Sequence, residues 1–116
     1  MPTNIQKLPV KNTKGSIDLI EIDSIFYLEA SSGDTIIHTK RKKPYRSVQR
    51  LHEIAQKLPS PPFVQCQREY IVNLNRVQSI IPRESRDYDL PLDPPINKRI
   101  PIARKRLKTI LKVLDL

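Results

Sequence analysis

Eleven prolines, at positions 2, 9, 44, 59, 61, 62, 82, 91, 94, 95 and 101, divide the 116-residue chain into short segments. Proline fixes φ and removes a backbone donor, so such segments favour short strands over long helices. Glycine is scarce by contrast, with only Gly15 and Gly33. Neither a Gly-rich phosphate loop nor a dinucleotide-binding turn can therefore be written, and nucleotide-dependent enzymes lose most of their standing. The single cysteine, Cys66, excludes an intramolecular disulfide, and the only histidines, His38 and His52, leave too few ligands for a Cys/His zinc cluster. No cofactor or metal is expected. No apolar run approaches the ~18 to 20 residues that span a bilayer, and the start lacks a signal-peptide core, so the reading is a soluble, cytoplasmic protein without membrane insertion. The length suits a single domain over residues 1–116, with 1–4 a flexible N-terminus, and fifteen isoleucines can supply its core.

Along the chain, Asn4 to Asn12 and Ser16 to Ile22 alternate in polarity around Thr13-Lys14-Gly15-Ser16, which predicts a hairpin. Ile25 to Ala30 reads as a buried strand, Ser31 to Asp34 as a turn, and Thr35 to Lys40 as the strand that closes a second hairpin. Lys42 to Arg46 can extend across Pro44 only at a sheet edge. Val48, Leu51, Ile54, Ala55 and Leu58 fall at helical spacing, which predicts a helix of about three turns from Ser47 as N-cap to Leu58 before Pro59. Extended character returns from Phe63 to Asn73 and from Lys98 to Ile102. Leu107, Ile110, Leu111 and Leu114 then mark a C-terminal helix.

The net charge of +9 is concentrated rather than spread. Residues 35–50 carry Lys40, Arg41, Lys42, Lys43, Arg46 and Arg50 with no acid, and residues 96–116 carry seven cations against Asp115. Two such blocks raise the local concentration of a polyanion, nucleic acid above all, although each alone could be a solvated surface. In the C-terminal helix, Arg104, Lys105, Lys108 and Lys112 gather opposite the apolar face. Like charges at i, i+4 and cations in the first turn are both unfavourable locally, and a phosphate at the helix start would relieve both. The residues do not describe an enzyme. Asp18, Glu21, Asp23 and Asp34 show no catalytic pattern, His38 reads as an edge-strand residue, His52 faces outward, and Cys66 reads as a small buried hydrophobe.

Four stretches carry a family resemblance: Ile22-Asp23-Ser24-Ile25-Phe26-Tyr27-Leu28-Glu29-Ala30; the helical segment from Ser47 to Leu58 followed by Pro59 and Phe63; Phe63-Val64-Gln65-Cys66-Gln67-Arg68-Glu69-Tyr70-Ile71-Val72-Asn73; and Ile100-Pro101-Ile102-Ala103-Arg104. In this order and spacing the chain, from Ile5 to Leu114, resembles the LytTR family of bacterial DNA-binding domains. Gln65, Gln67, Glu69 and Ala103 stand where the family more often has Arg, His, Ser and Ser.

The resemblance implies a mainly β fold, an elongated antiparallel domain of about ten short strands with one mid-chain helix and a C-terminal helix. It also implies sequence-specific binding of double-stranded DNA by a transcriptional regulator, whose loops read successive major grooves of direct repeats as a dimer or as two molecules. By position, the base-contacting sites fall on Asp34, Thr35, Arg68, Arg104 and Lys105. The other cations, Lys40, Arg41, Lys42, Lys43, Lys108 and Lys112, are expected to hold phosphates. No small-molecule substrate is expected. From the start at Met1 no receiver or membrane segment is expected ahead of it, so the chain is expected to be either a stand-alone regulator or an excised output domain. On charge alone, an RNA- or ribosome-associated domain and a protein-interaction module with a basic helix stay open.

Overall fold

The computed structural model describes residues 6–84 and 87–116, so the expected flexible segment 1–4 lies outside the described residues. Among these residues the fold is mainly β, with ten strands in antiparallel sheets and two α-helices. The chain divides into two units, residues 1–58 and 59–116.

In the first unit, β1 (Lys7–Lys11) and β2 (Ile17–Glu21) form the expected hairpin, with Pro9 opposite Leu19 at its centre. Its turn is built by Asn12, whose Oδ1 accepts from Lys14 N at 2.9 Å and Ser16 N at 3.0 Å, while Gly15 takes φ 88°. Leu8, Val10 and Ile20 are buried, whereas Ile17 and Leu19 face outward. The strands β3 (Ile25–Ser31), β4 (Asp34–Thr39) and β5 (Tyr45–Ser47) lie side by side in the order β5-β4-β3. Ser32 and Gly33 join the first two with φ values of 51° and 88°. Two positive-φ residues make the primed turn whose twist matches paired strands. Tyr45 begins β5 directly after Pro44, so the strand does not cross the proline.

The mid-chain helix is shorter than its periodicity predicts. Only α1 (Leu51–Ala55) is helical, packed on β3, and Arg50 rather than Ser47 precedes it. Ser47 is fully buried as the last residue of β5: its hydroxyl donates to Lys11 O at 2.8 Å and accepts from Gln49 N at 3.1 Å. Val48 N donates to the same carbonyl at 3.0 Å. These bonds to β1 hold residues 47 and 48 out of the helix and leave Val48 exposed, while Leu51, Ile54 and Leu58 keep the buried face.

In the second unit, β6 (Phe63–Gln67) and β7 (Tyr70–Asn73) form a hairpin, and β8 (Ile81–Pro82), β9 (Tyr88–Pro91) and β10 (Arg99–Ile102) a three-stranded sheet. Asn73, the last residue of β7, accepts from Asn75 N at 3.0 Å, which caps a single 3-10 turn over Leu74–Arg76. The helix α2 (Arg104–Val113) packs on β6 and buries Ile110; Leu114 lies past its end, 44% exposed.

Candidate nucleic-acid interface

In the second unit the register of β6 and β7 shifts between Gln65 and Gln67, so Cys66 is the extra residue of a bulge. A bulge adds local twist and re-aims the neighbouring side chains. Directly beyond it, Arg68 and Glu69 form the turn and are both exposed, while Phe63, Val64, Ile71 and Val72 are buried behind them. Gln65 Nε2 donates to Arg68 O at 3.0 Å, and Gln65 O accepts from Arg106 Nη1 at 3.2 Å. One glutamine thus ties the turn to its own strand and to α2. The sequence marks Gln65 only as a departure from the family pattern and does not point to Arg106, although Arg106 directly follows the Arg104-Lys105 pair. Among the described residues Arg68 makes no ion pair with Glu69. The Arg68 backbone is therefore fixed and its guanidinium lies at the surface, as side-chain readout of a base requires.

Cys66 is buried, as its neighbours predict, with Sγ 3.8 Å from Tyr70 O. Burial pushes its thiol up from the ordinary 9.0 to about 12, against the opposing pull of the Cys66 and Gln67 backbone hydrogen bonds and the Arg106 charge. The folded chain should react slowly with a thiol-alkylating reagent at pH 7.5 and at full rate in denaturant, because only the thiolate attacks. A folded-state pKa above the unfolded one also means that stability present below pH 9 is lost as pH rises toward about 12. Fast labelling of the folded chain would contradict this placement.

Ala103 precedes α2 with no side-chain cap. Arg104, Lys105, Lys108 and Lys112 are all exposed along the helix, as the projection predicts. In the first unit Lys40, Arg41, Lys42 and Lys43 occupy an exposed bend between β4 and β5, past the end of the strand. Arg41 N donates to Thr39 Oγ1 at 3.2 Å, and the Arg41 guanidinium carbon lies 4.0 Å from the Tyr45 ring centroid. Asp34 sits at the β3–β4 turn with its carboxylate on Arg46 Nε at 3.0 Å. Thr35 lies in β4, as its strand reading expects, but not at the surface where the resemblance implies a base contact. It is fully buried, and its hydroxyl donates to Gln49 O at 2.8 Å, so it supports the turn from inside and offers no side chain at the surface.

His38 is not a plain edge residue. The register sets it opposite Tyr27, whose ring it stacks on at 4.1 Å and 4°, and its Nε2 lies 2.7 Å from Glu29 Oε2, two residues farther along β3. Strand alternation alone puts Tyr27 and Glu29 on one face, but the register that brings His38 to them is not local. Among the described residues no cluster of three metal-ligating side chains forms, and no helix is long and apolar enough to cross a membrane.

The sequence model of the LytTr DNA-binding domain matches residues 15–115, through both units. The chain belongs to the LytTr DNA-binding domain family. It is 30% identical over 95 residues to the transcriptional regulatory protein YpdB of Escherichia coli K12, and equally to that of Shigella flexneri. Each match covers 82% of this chain but only 38% of the relative, so the chain spans well under half the length of these regulators. A solved LytTr DNA-binding domain from Bacillus cereus superposes with a TM-score of 0.78 at 24% identity, covering 96% of this chain and 98% of that one. The LytTr fold thus agrees with the strands and helices described above. Within it, the cations of residues 40–43 belong to the first unit and those of the Arg68 turn and α2 to the second.

Proposed function

We propose that this LytTr domain binds double-stranded DNA sequence-specifically for a bacterial transcriptional regulator, its loops entering successive major grooves of direct repeats. The observation that carries the reading is Arg68, exposed at a hairpin turn whose backbone Gln65 and the bulge hold in place. A guanidinium so presented can give bidentate hydrogen bonds to guanine O6 and N7. Arg104 and Lys105, exposed at the uncapped start of α2, are the further base-contacting candidates, and Asp34 at the β3–β4 turn is a third. Thr35 keeps an inner, supporting role. The exposed Lys40, Arg41, Lys42, Lys43, Lys108 and Lys112 hold phosphates and fix the register. The two units serve as one domain, two molecules occupy a repeat, the work is done in the cytoplasm, and no bond is made or broken in the DNA.

RNA binding is the second reading, and the aromatic side chains disfavour it. Phe26, Tyr27 and Phe63 are at most 4% exposed, which leaves only the half-buried Tyr45, Tyr70 and Tyr88 for a base-stacking platform. Competition between a duplex and single-stranded RNA tests the choice: the duplex should displace the RNA at far lower concentration. Preference for the RNA would replace the DNA reading, and a complex with an acidic protein that survives nuclease would point to the interaction module instead.

A further inference from the structure

We propose that the groove formed by Lys7, Thr39, Lys40, Arg41 and Tyr45 seats backbone phosphates of duplex DNA, one to each of its cations, with Tyr45 as the positioning residue that holds Arg41 for its phosphate. The proposal rests on the duplex-DNA reading above and adds Lys7 and Tyr45 to it. The groove has a volume of ≈ 250 Å³ and is completed by Leu19, Glu21 and Ser24. Lys7, Lys40 and Arg41 face one carboxylate, Glu21, so its lining is cationic on balance. Lys7 lies outside the two basic blocks and reaches the groove because β1 pairs with β2, where Lys7 stands opposite Glu21. Ser24 is already engaged, donating to Glu21 O at 2.7 Å, so the cations are the groups available to an anion.

Arg41 differs from the lysines around it. Its backbone N–H is tied to Thr39 Oγ1 at 3.2 Å, and its charge lies over the Tyr45 ring at 4.0 Å. Tyr45 is itself fixed as the first residue of β5, opposite Ile37. A cation held over the face of a ring keeps the in-plane N–H edge of the guanidinium for a phosphate oxygen. It also has less rotamer freedom to lose on binding than an untethered side chain. Among the described residues no ring holds Lys40, Lys42 or Lys43 in this way.

The test uses the full chain, a preferred duplex and a scrambled one, with thermal unfolding of every variant. Tyr45→Phe keeps the ring and should bind within about twofold of the wild type, whereas Tyr45→Leu should weaken both duplexes about threefold to fivefold. Arg41→Ala and Lys7→Ala should each lower the salt slope by about one. Tyr45→Leu combined with Arg41→Ala should be no weaker than Arg41→Ala alone, since the ring acts through the arginine. Wild-type binding by Tyr45→Leu, losses that add in full in the double variant, or an unchanged salt slope for Lys7→Ala would overturn the proposal. If Tyr45→Leu fails to fold, Arg41→Lys takes its place, and full affinity in that variant would overturn it equally. A wild-type chain that binds no duplex would instead overturn the functional reading, and the groove proposal with it.

Discussion

Raising the salt from 50 to 200 mM is expected to weaken duplex binding by about a thousandfold. Each phosphate neutralised by a cation releases condensed counterion, and the slope of log affinity against log salt is about −0.9 per phosphate on B-form DNA. Lys40, Arg41, Lys42, Lys43, Lys108 and Lys112 are exposed, so a fourfold rise in salt acts on about six such contacts. Alanine at Lys40, Lys42 or Lys43 should flatten the slope by about one unit and weaken preferred and scrambled duplexes alike, because phosphates carry no sequence information. Affinity indifferent to ionic strength would remove the electrostatic part of the account. A single lysine variant that changed which sequence is preferred would move that residue from positioning to readout.

Arg68→Ala should lower specific binding by about ten- to a hundredfold and leave non-specific binding nearly unchanged, since a good bidentate contact discriminates by ~1 to 3 kcal/mol. The substitution is clean in structural terms. Arg68 is exposed, and the bond that Gln65 Nε2 makes to its carbonyl does not involve the side chain. Thermal unfolding should therefore match the wild type, and the loss reads as contact rather than stability. Equal losses on preferred and scrambled duplexes would make Arg68 a phosphate contact, and no loss on either would leave it a surface residue. The same comparison on Lys105→Ala separates base reading from phosphate holding at the start of α2.

What was legible in the sequence follows the range of the interactions. The hairpin over Gly15 and the turn at Ser32-Gly33 are set by local backbone demands, and both were predicted. The buried strand from Ile25 and the four family motifs were equally readable, being runs of contiguous residues. The predicted helix from Ser47 overran because its periodicity is genuine at Leu51, Ile54 and Leu58, while Ser47 and Val48 are bonded to Lys11, some three dozen residues earlier. Thr35 lies in the strand the sequence predicts, but its burial is not local, since its hydroxyl bonds Gln49 O. The bracket that Gln65 forms between Arg68 and Arg106, the Glu29–His38 pair and the Arg41–Tyr45 stack all depend on strand register or a turn's geometry. The residue types gave candidates for charge and for base contact, and the fold decided which of them reach the surface.

Selection of preferred duplexes from a random pool tests the central claim most directly. The account predicts enrichment of a direct repeat whose half-sites lie about one helical turn apart, ~10 base pairs, and loss of that enrichment in Arg68→Ala. A pool that passes through selection with no enriched sequence, while the chain still binds the bulk duplex, would contradict sequence-specific reading.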